Sequence, residues 1–549
     1  MLKKMPSIFL LIFVLLISSC EDYYNFEAKK LDKKANMLIE EANVGGFDID
    51  EKIILISQAL EKLNKLEKKY PRTKVAKNLR KNNKIDNLNV ILESLKKESR
   101  LKNIENQKKQ VLNYIKERTR TASIEFKRRN FKTSSLLILD AAEESVLEIS
   151  DPRSKTRLFN KISEARFNMG DKESALNTII NSLNFADKMH VDLPKKIMHL
   201  SKIYEILYLL GENEKYKSVE KKIYKIINND INNNNNKSVA YAEIAKSNHK
   251  INNINQAKND IEKALKLANT AAAYIAIANV QCKMTNLDDC KKTLLLAKEK
   301  AVLTKQEFWN VRELINIALF ESSINLKESS EKTLLEAEKF ILTNPDGRII
   351  LELIQAFAKI DNIDKAKNLI NKINLHYEKA YAMSIVGEEL GKRNNLSEMN
   401  LFLNKAINAA PDTIEGKYAL GLPGFSTKGR IYLNVAKTYA QVSNFEKAYK
   451  FLALIESDKF YKEGIHDILF LQSKKNKKEA KKKALELLNF GGTILDSKFM
   501  SKIATIQSIA GDIENSFKTI NQVSPSIDLS ESLINIAINI NLQQADPLI

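Results

Sequence analysis

The chain has 549 residues, 88 Lys or Arg against 68 Asp or Glu, a formal net charge of +20, and only 15 glycines, 9 prolines and 3 cysteines. Scarce glycine and proline exclude a turn-rich sheet architecture, and three cysteines exclude a fold held by a disulfide framework. Leu, Ile, Lys, Ala, Asn and Glu dominate, which favours either several helical domains or one long helical array.

At the N-terminus, Lys3 and Lys4 precede an apolar core from Ile8 to Ile17. That layout is a secretory signal, too short to span a bilayer. Ile17, Ser18, Ser19 and Cys20 resemble the lipobox of bacterial lipoproteins. The resemblance implies that residues 1–19 are removed and that Cys20 becomes the lipidated first residue of the mature chain. Loss of residues 1–19 takes away two lysines and no acid, so 86 basic and 68 acidic residues remain. Acyl chains contribute about 0.8 kcal/mol per buried methylene, so three would hold the protein on a membrane. No later window approaches eighteen uncharged apolar residues, which predicts a tethered rather than a membrane-crossing protein. It is expected in the cell envelope, on the inner or outer membrane, facing the periplasm or the outside.

Residues 20–50 read as the lipidated cysteine and a tether. Residues 51–150 read as a basic helical N-terminal region: "LISQALEKLNKLEKKYP" is an amphipathic helix stopped at Tyr70-Pro71. The basic stretch 75–130 is helical in pattern, either as divergent capping repeats or as a longer hairpin, with its charges on a solvated face.

Residues 151–410 carry an internal period. Tyr241, Ile244, Ala245, Ala257, Ile261 and Ala264 recur 33 positions later as Tyr274, Ile277, Ala278, Cys290, Leu294 and Ala297. Small residues at fixed places let two antiparallel helices approach, and larger apolar residues fill the seam to the next pair. Further copies are Met383, Val386, Gly387, Met399, Leu403 and Ala406, then Tyr432, Val435, Ala436, Ala448, Leu452 and Ile455. Looser units run from Phe159 to Leu183, Leu314 to Ala337, Ile350 to Ile373 and Met500 to Ile520, and the segment from Leu200 to Ile227 belongs with them.

This pattern resembles the tetratricopeptide repeat, a helix-turn-helix unit of about 34 residues. The resemblance implies an all-α fold, a helical-hairpin repeat superhelix or alpha solenoid. The chain departs from the motif in having no opening tryptophan, Ile-Ala or Val-Ala where Leu-Gly is usual, and few closing prolines. The Asn-rich stretch 228–237 reads as a slack loop, and residues 411–430, which hold two prolines and four glycines, as an insertion projecting from the array. Residues 431–549 read as C-terminal repeats and a capping helix. Its outer side stays apolar from Leu529 onward, so this end either docks back or meets another chain.

No reaction is legible. The histidines at 190, 199, 249, 376 and 466 are scattered, and no phosphate loop, nucleotide fingerprint or GxSxG turn occurs. No metal or cofactor is expected, and the chain does not read as an enzyme. Cys290 sits where other units have a small core residue; a core thiol and a disulfide to Cys282 are the two alternatives. In the named repeats helix A lines the concave face. That geometry implies a binding surface of Val239, Ala242, Lys246 and His249, then Ala272, Ile275, Asn279 and Cys282, with Tyr381, Ser384 and Glu388, then Arg430, Leu433 and Lys437, in later units. The expected partner is another envelope protein or an extended peptide. Nucleic acid is not expected, because the basic excess is dispersed. The alternative is a cell-wall or glycan-associated factor, enzymatic in the manner of a muramidase. The Lys, Asn and Ile bias, with the acidic sequence after Cys20, is similar to spirochaete lipoproteins.

Overall fold

The computed structural model describes residues 5–44, 46–189, 192–284, 286–303, 307–341, 347–410, 427–489 and 495–543, with side chains from residue 22 onward except at 307, 308, 347 and 427. All regular structure in them is helical, and the chain forms two compact units, 1–111 and 112–549.

The first unit holds α1 (Met5–Asn43), α2 (Ile49–Lys69), α3 (Lys74–Lys81) and the first part of α4 (Lys84–Lys127). Ala28, Ala35 and Ala42 repeat every seven residues on α1 and are buried against Ile56, Leu60 and Leu63 of α2. Alanine at that spacing leaves room for a second helix to lie alongside. Asp48 and Glu51 form a reciprocal capping box at the start of α2, and Thr73 caps α3. The segment after Cys20, read from sequence as a tether, is therefore mostly helix with a buried face. Its alanines carry little hydrophobic signal, which is why a packing stripe reads as a linker.

The second unit begins in the same helix α4 and continues through α5 (Phe131–Leu147), α6 (Pro152–Asn168), α7 (Lys172–Asp187), α8 (Leu193–Leu209), α9 (Asn213–Lys225), α10 (Asn234–Lys250), α11 (Ile254–Leu267), α12 (Ala271–Lys283) and α13 (Leu287–Leu303). It goes on through α14 (Glu307–Ser323), α15 (Lys327–Ile341), α16 (Gly347–Lys359), α17 (Ile363–Asn371), α18 (His376–Lys392), α19 (Leu396–Ala409) and α20 (Thr427–Gln441). The last are α21 (Phe445–Leu452), α22 (Asp458–Lys475), α23 (Lys477–Asn489), α24 (Ser497–Ile509), α25 (Ile513–Ile520) and α26 (Ile527–Gln543).

From α6 to α25, consecutive helices pair as hairpins, helix A then helix B. The turns explain the pairing. Asn252, Asp361, Asn394 and Ser443 adopt positive φ, as do Gly170, Gly211 and Gly511 at equivalent places. Glycine and asparagine tolerate that conformation. The next amide then bonds back to the carbonyl five residues earlier, as Asn253 does to Asn248, closing a Schellman turn. Inside several hairpins, small residues twelve apart meet. The hydroxyls of Ser330 and Ser516 donate to the carbonyls of Ala318 and Ala504 at 2.7 Å, and Ala245 and Ala257 are both fully buried.

The ends of the unit meet. α26, the last described helix, packs between α24 and α6 and pairs along its length with α5, completing a hairpin whose A helix comes from the C-terminus and whose B helix comes from the N-terminal side. Ser530 donates to Ser145 at 2.9 Å within it, Asn539 reaches Ser508 on α24 at 2.8 Å, and Arg157 on α6 pairs with Glu531. The final part of α4 runs beside this seam: Thr119 donates to Asn521, Lys127 pairs with Glu514 at 3.5 Å, and Ser134 of α5 donates to the carbonyl of Ala122. Each A helix packs on the A helix of the next hairpin all the way round, whereas no two B helices pack comparably. The A helices are thus the inner layer of a closed ring, eleven hairpins among the described residues. At about 9 Å between neighbouring axes, eleven A helices make a ring about 30 Å across, and subtracting about 10 Å for the helices leaves an opening of about 20 Å.

Three further expectations meet the structure here. The C-terminal helix docks back and is not an exposed cap. The Asn-rich stretch is ordered: a π-helix covers Ile226–Asp230, Ile231 is buried, Asn233 caps α10, and Asn228 accepts from Tyr241. Its asparagines act as caps and turn formers around one buried isoleucine, which composition alone hides. Most of the 411–430 insertion lies outside the described residues. Among those residues no helix is long and apolar enough to cross a membrane.

Candidate interaction surfaces

The packing residues read from the period occupy the seams. Ala245, Ala257, Ala264, Ala278, Cys290, Ala297, Ala406, Ala436 and Ala448 are wholly buried, Tyr241, Tyr274 and Gly387 are buried, and Tyr432 is half-buried. A Cβ on Gly387 would lie 2.6 Å from Cδ2 of Leu403, so any larger residue there requires the Leu403 side chain to shift.

The inner layer is tied across its seams by charge. Lys202 on α8 reaches Glu164 on α6 at 2.7 Å, and Lys250 on α10 reaches Glu205 on α8 at 3.0 Å. Glu205 is buried and also accepts from Ser247 at 2.7 Å. Lys437 on α20 contacts Glu463 at 2.9 Å and Asp467 at 2.6 Å on α22. Burial works against the charge of Lys437, but the hydrogen bonds to these carboxylates outweigh it and raise its pKa. Asp467 is likewise opposed by burial, yet His466 and Lys437 hold it below the usual carboxylate range. Arg312 on α14 pairs with Glu352 on α16, beside the half-exposed Trp309, the chain's one tryptophan.

Of the positions expected on the concave face, Asn279 is exposed and Ala272 is too. Lys246 is half-buried and paired with Glu243 at 2.8 Å, Glu388 is paired with Lys392 at 2.8 Å, and the Arg430 guanidinium stacks 4.6 Å over the Tyr381 ring. Val239 and Ile275 are half-buried. Ala242, Ser384 and Leu433 are buried in the seams between adjacent A helices and cannot meet a ligand. Repeat geometry places them toward the concave side, but the neighbouring helix covers them. His249 lines a groove between the B helices α11 and α13. Cys282 is bonded to Cys290, with Cα atoms 5.4 Å apart, so the core-thiol alternative is replaced by a disulfide joining the two helices of one hairpin.

Two features escaped the sequence reading. Asp260 is fully buried without a cation in contact; Tyr224 donates to it at 2.7 Å, Asn248 at 2.9 Å and Gln256 at 3.1 Å. Burial raises its pKa despite these bonds. The aspartate follows an apolar-looking helix register, and no motif marks it. Gln281 is the other, buried beside Cys282 with its Oε1 unpartnered. Among the described residues no group of three or more His, Cys, Asp or Glu side chains could hold a metal ion.

The geometry defines the class: an all-α array of tetratricopeptide-like helical hairpins. No protein-family model matches the chain, and no curated protein matches it. Among solved structures, yeast Tom70 is 11% identical, with 95% of this chain and 98% of that chain covered at a TM-score of 0.30. Ton1535 of Thermococcus onnurineus is 16% identical, with 64% and 98% covered at 0.26. A signal-transduction ATPase of Pyrococcus horikoshii with a tetratricopeptide repeat sensor is 14% identical, with 63% and 51% covered at 0.25. The fold assignment rests on this chain's own helix pairing.

Proposed function

We propose that the protein is a lipid-anchored, non-catalytic scaffold of the cell envelope that holds an extended segment of another envelope protein on its inner layer. The observation that carries this reading is the enclosed face of A helices, about 20 Å across by the spacing of packed helices, lined by mixed charge and by exposed groups such as Asn279 and Trp309. A partly apolar, partly charged wall suits backbone hydrogen bonds and a few side chains of an extended chain. An opening of about 20 Å suits an extended segment, entering from an open end of the ring, better than a folded domain.

Anchoring is supported by the Ile17-Ser18-Ser19-Cys20 sequence, and the Cys282–Cys290 disulfide suits an oxidising compartment. Cys20→Ala is expected to move the protein from membranes to the soluble fraction. A photo-crosslinking amino acid at Asn279, with one at the exposed Lys478 of α23 as control, tests the binding face in native cells. One discrete polypeptide adduct from position 279 alone is the expected result; no adduct, or the same adduct from both positions, contradicts it. The competing reading, a wall or glycan factor acting through the basic surface, predicts salt-resistant binding to purified sacculi.

A further inference from the structure

Three aromatic side chains follow the lipobox cysteine closely. Tyr23, Tyr24 and Phe26 lie within two turns of Cys20 on α1, and each is more than half exposed. Tyr24 meets Tyr70 at the end of α2, with ring centroids 5.9 Å apart. Residues 68–81, which run from there through the turn and α3, hold seven Lys or Arg and no Asp or Glu. All seven side chains are exposed, and none pairs with a carboxylate among the described residues. Ala76 and Leu79 turn inward, so the cations of α3 face out, and Arg80 donates to the carbonyl of Pro71 at 2.5 Å, which brings its guanidinium back to the same corner. Helix stability does not account for this arrangement. α3 has no acid in its first turn, and Arg72 and Lys74 stand at its N-terminus, where the helix dipole opposes a cation. Clustered like charges repel one another until an anion faces them.

We infer that this corner of the first unit lies on a bilayer surface containing anionic phospholipid. Exposed Tyr and Phe favour the headgroup level of a membrane, where a ring is partly dry and a hydroxyl stays wet. Each Lys or Arg near an anionic leaflet strengthens attachment about five-fold. Nucleic acid or an acidic protein would answer the charge alone, whereas the exposed rings one turn from Cys20 call for a membrane interface. The inference rests on the anchoring reading, in which acyl chains on Cys20 bring this corner to the bilayer; the cations then fix which end of the unit faces the headgroups. Without acyl chains the hold is reversible and salt-sensitive, so Cys20→Ala protein is still expected in the soluble fraction after a salt wash.

Residues 20–549 carrying Cys20→Ala, mixed with vesicles and sedimented, test the surface without the acyl chains. Phosphatidylcholine vesicles with about 30% phosphatidylglycerol are expected to bind the protein at a lipid concentration at least ten-fold below that needed with phosphatidylcholine alone, a preference lost in about 0.5 M salt. Lys69→Gln, Arg72→Gln, Lys74→Gln and Lys77→Gln combined are expected to lower binding at least ten-fold. Lys102→Gln, Lys108→Gln, Lys109→Gln and Lys116→Gln combined, at exposed positions of α4, change the net charge equally and are expected to leave binding within two-fold. Tyr23→Ser with Phe26→Ser is expected to weaken vesicle binding at least three-fold, with circular dichroism confirming that each variant is folded. Equal binding to both kinds of vesicle, an equal loss from the two sets of Gln substitutions, or an aromatic variant that binds vesicles as the parent does overturns the inference. Tighter binding to duplex DNA than to the anionic vesicles overturns it in favour of nucleic acid. The anchoring reading fails separately, if Cys20→Ala leaves the protein on salt-washed cell membranes.

Discussion

Ser145 and Ser530 stand 385 positions apart in the chain and share a hydrogen bond of 2.9 Å in the interior of one helical hairpin. Both side chains are fully buried. The bond joins α5 to α26, so the first complete B helix and the last A helix of the second unit form one repeat between them. An open solenoid leaves an apolar face at each end that a capping helix must cover. Here each end covers the other.

Closure makes α26 an energetic keystone. Leu533 is wholly buried in it, and Leu533→Ala is expected to cost about 2–5 kcal/mol, the range for a truncated core leucine. Urea unfolding followed by circular dichroism measures that loss. The same variant is expected to raise proteolysis near both α5 and α26, because the two ends are released together.

Gly464 sits where α22 crosses the α20–α21 hairpin. A Cβ there would press on Cδ1 of Leu452 and lie 2.8 Å from Cδ1 of Leu433, both buried. Gly464→Ala is therefore expected to destabilise by about 1–3 kcal/mol through overpacking, although alanine favours helix over glycine by roughly 1 kcal/mol. A variant as stable as the parent would show that this crossing is looser than described.

Asp260 predicts an unusual pH dependence. Burial raises its carboxyl pKa in the folded chain, so the folded form binds the proton more tightly than the unfolded form. Its contribution to stability is greatest below the unfolded pKa of about 3.9 and declines as pH rises to the folded value, remaining constant above it. Asp260→Asn, whose one amide oxygen can still accept from Tyr224 and Asn248, which share Oδ2, is expected to remove that decline. Denaturant midpoints measured across the acid range check the sign.

The disulfide between Cys282 and Cys290 closes a short loop, for which the chain-entropy estimate is about 2–3 kcal/mol. Replacing both cysteines by alanine, the residue that other repeats carry at the Cys290 position, is expected to cost about that much and leave the fold intact. Mass spectrometry of the non-reduced protein checks the pairing itself.

What the sequence reveals about this molecule follows from range. Ala245 and Ala257, or Ala436 and Ala448, announce a hairpin because the contact spans only twelve residues and recurs at a fixed offset. Ser145 and Ser530 announce nothing, since a single pair between distant helices has no period to repeat. The inner layer was legible only as far as the choice of helix. Lys437 and Asn279 lie on it, but Ala242, Ser384 and Leu433 are taken up by seams whose width depends on how sharply the ring curves. Gln281 was invisible for a different reason: an unmet hydrogen bond is a property of the surroundings, and residue type alone does not show it.

Closure is tested most directly by placing cysteines at positions 145 and 530. Their hydroxyls already touch, so thiols there are within bonding reach. Mild oxidation of the folded full-length protein is expected to give a near-quantitative intramolecular crosslink, seen as faster migration on a non-reducing gel and lost when oxidation follows denaturation. Two free thiols after oxidation of the folded chain would contradict the closed ring.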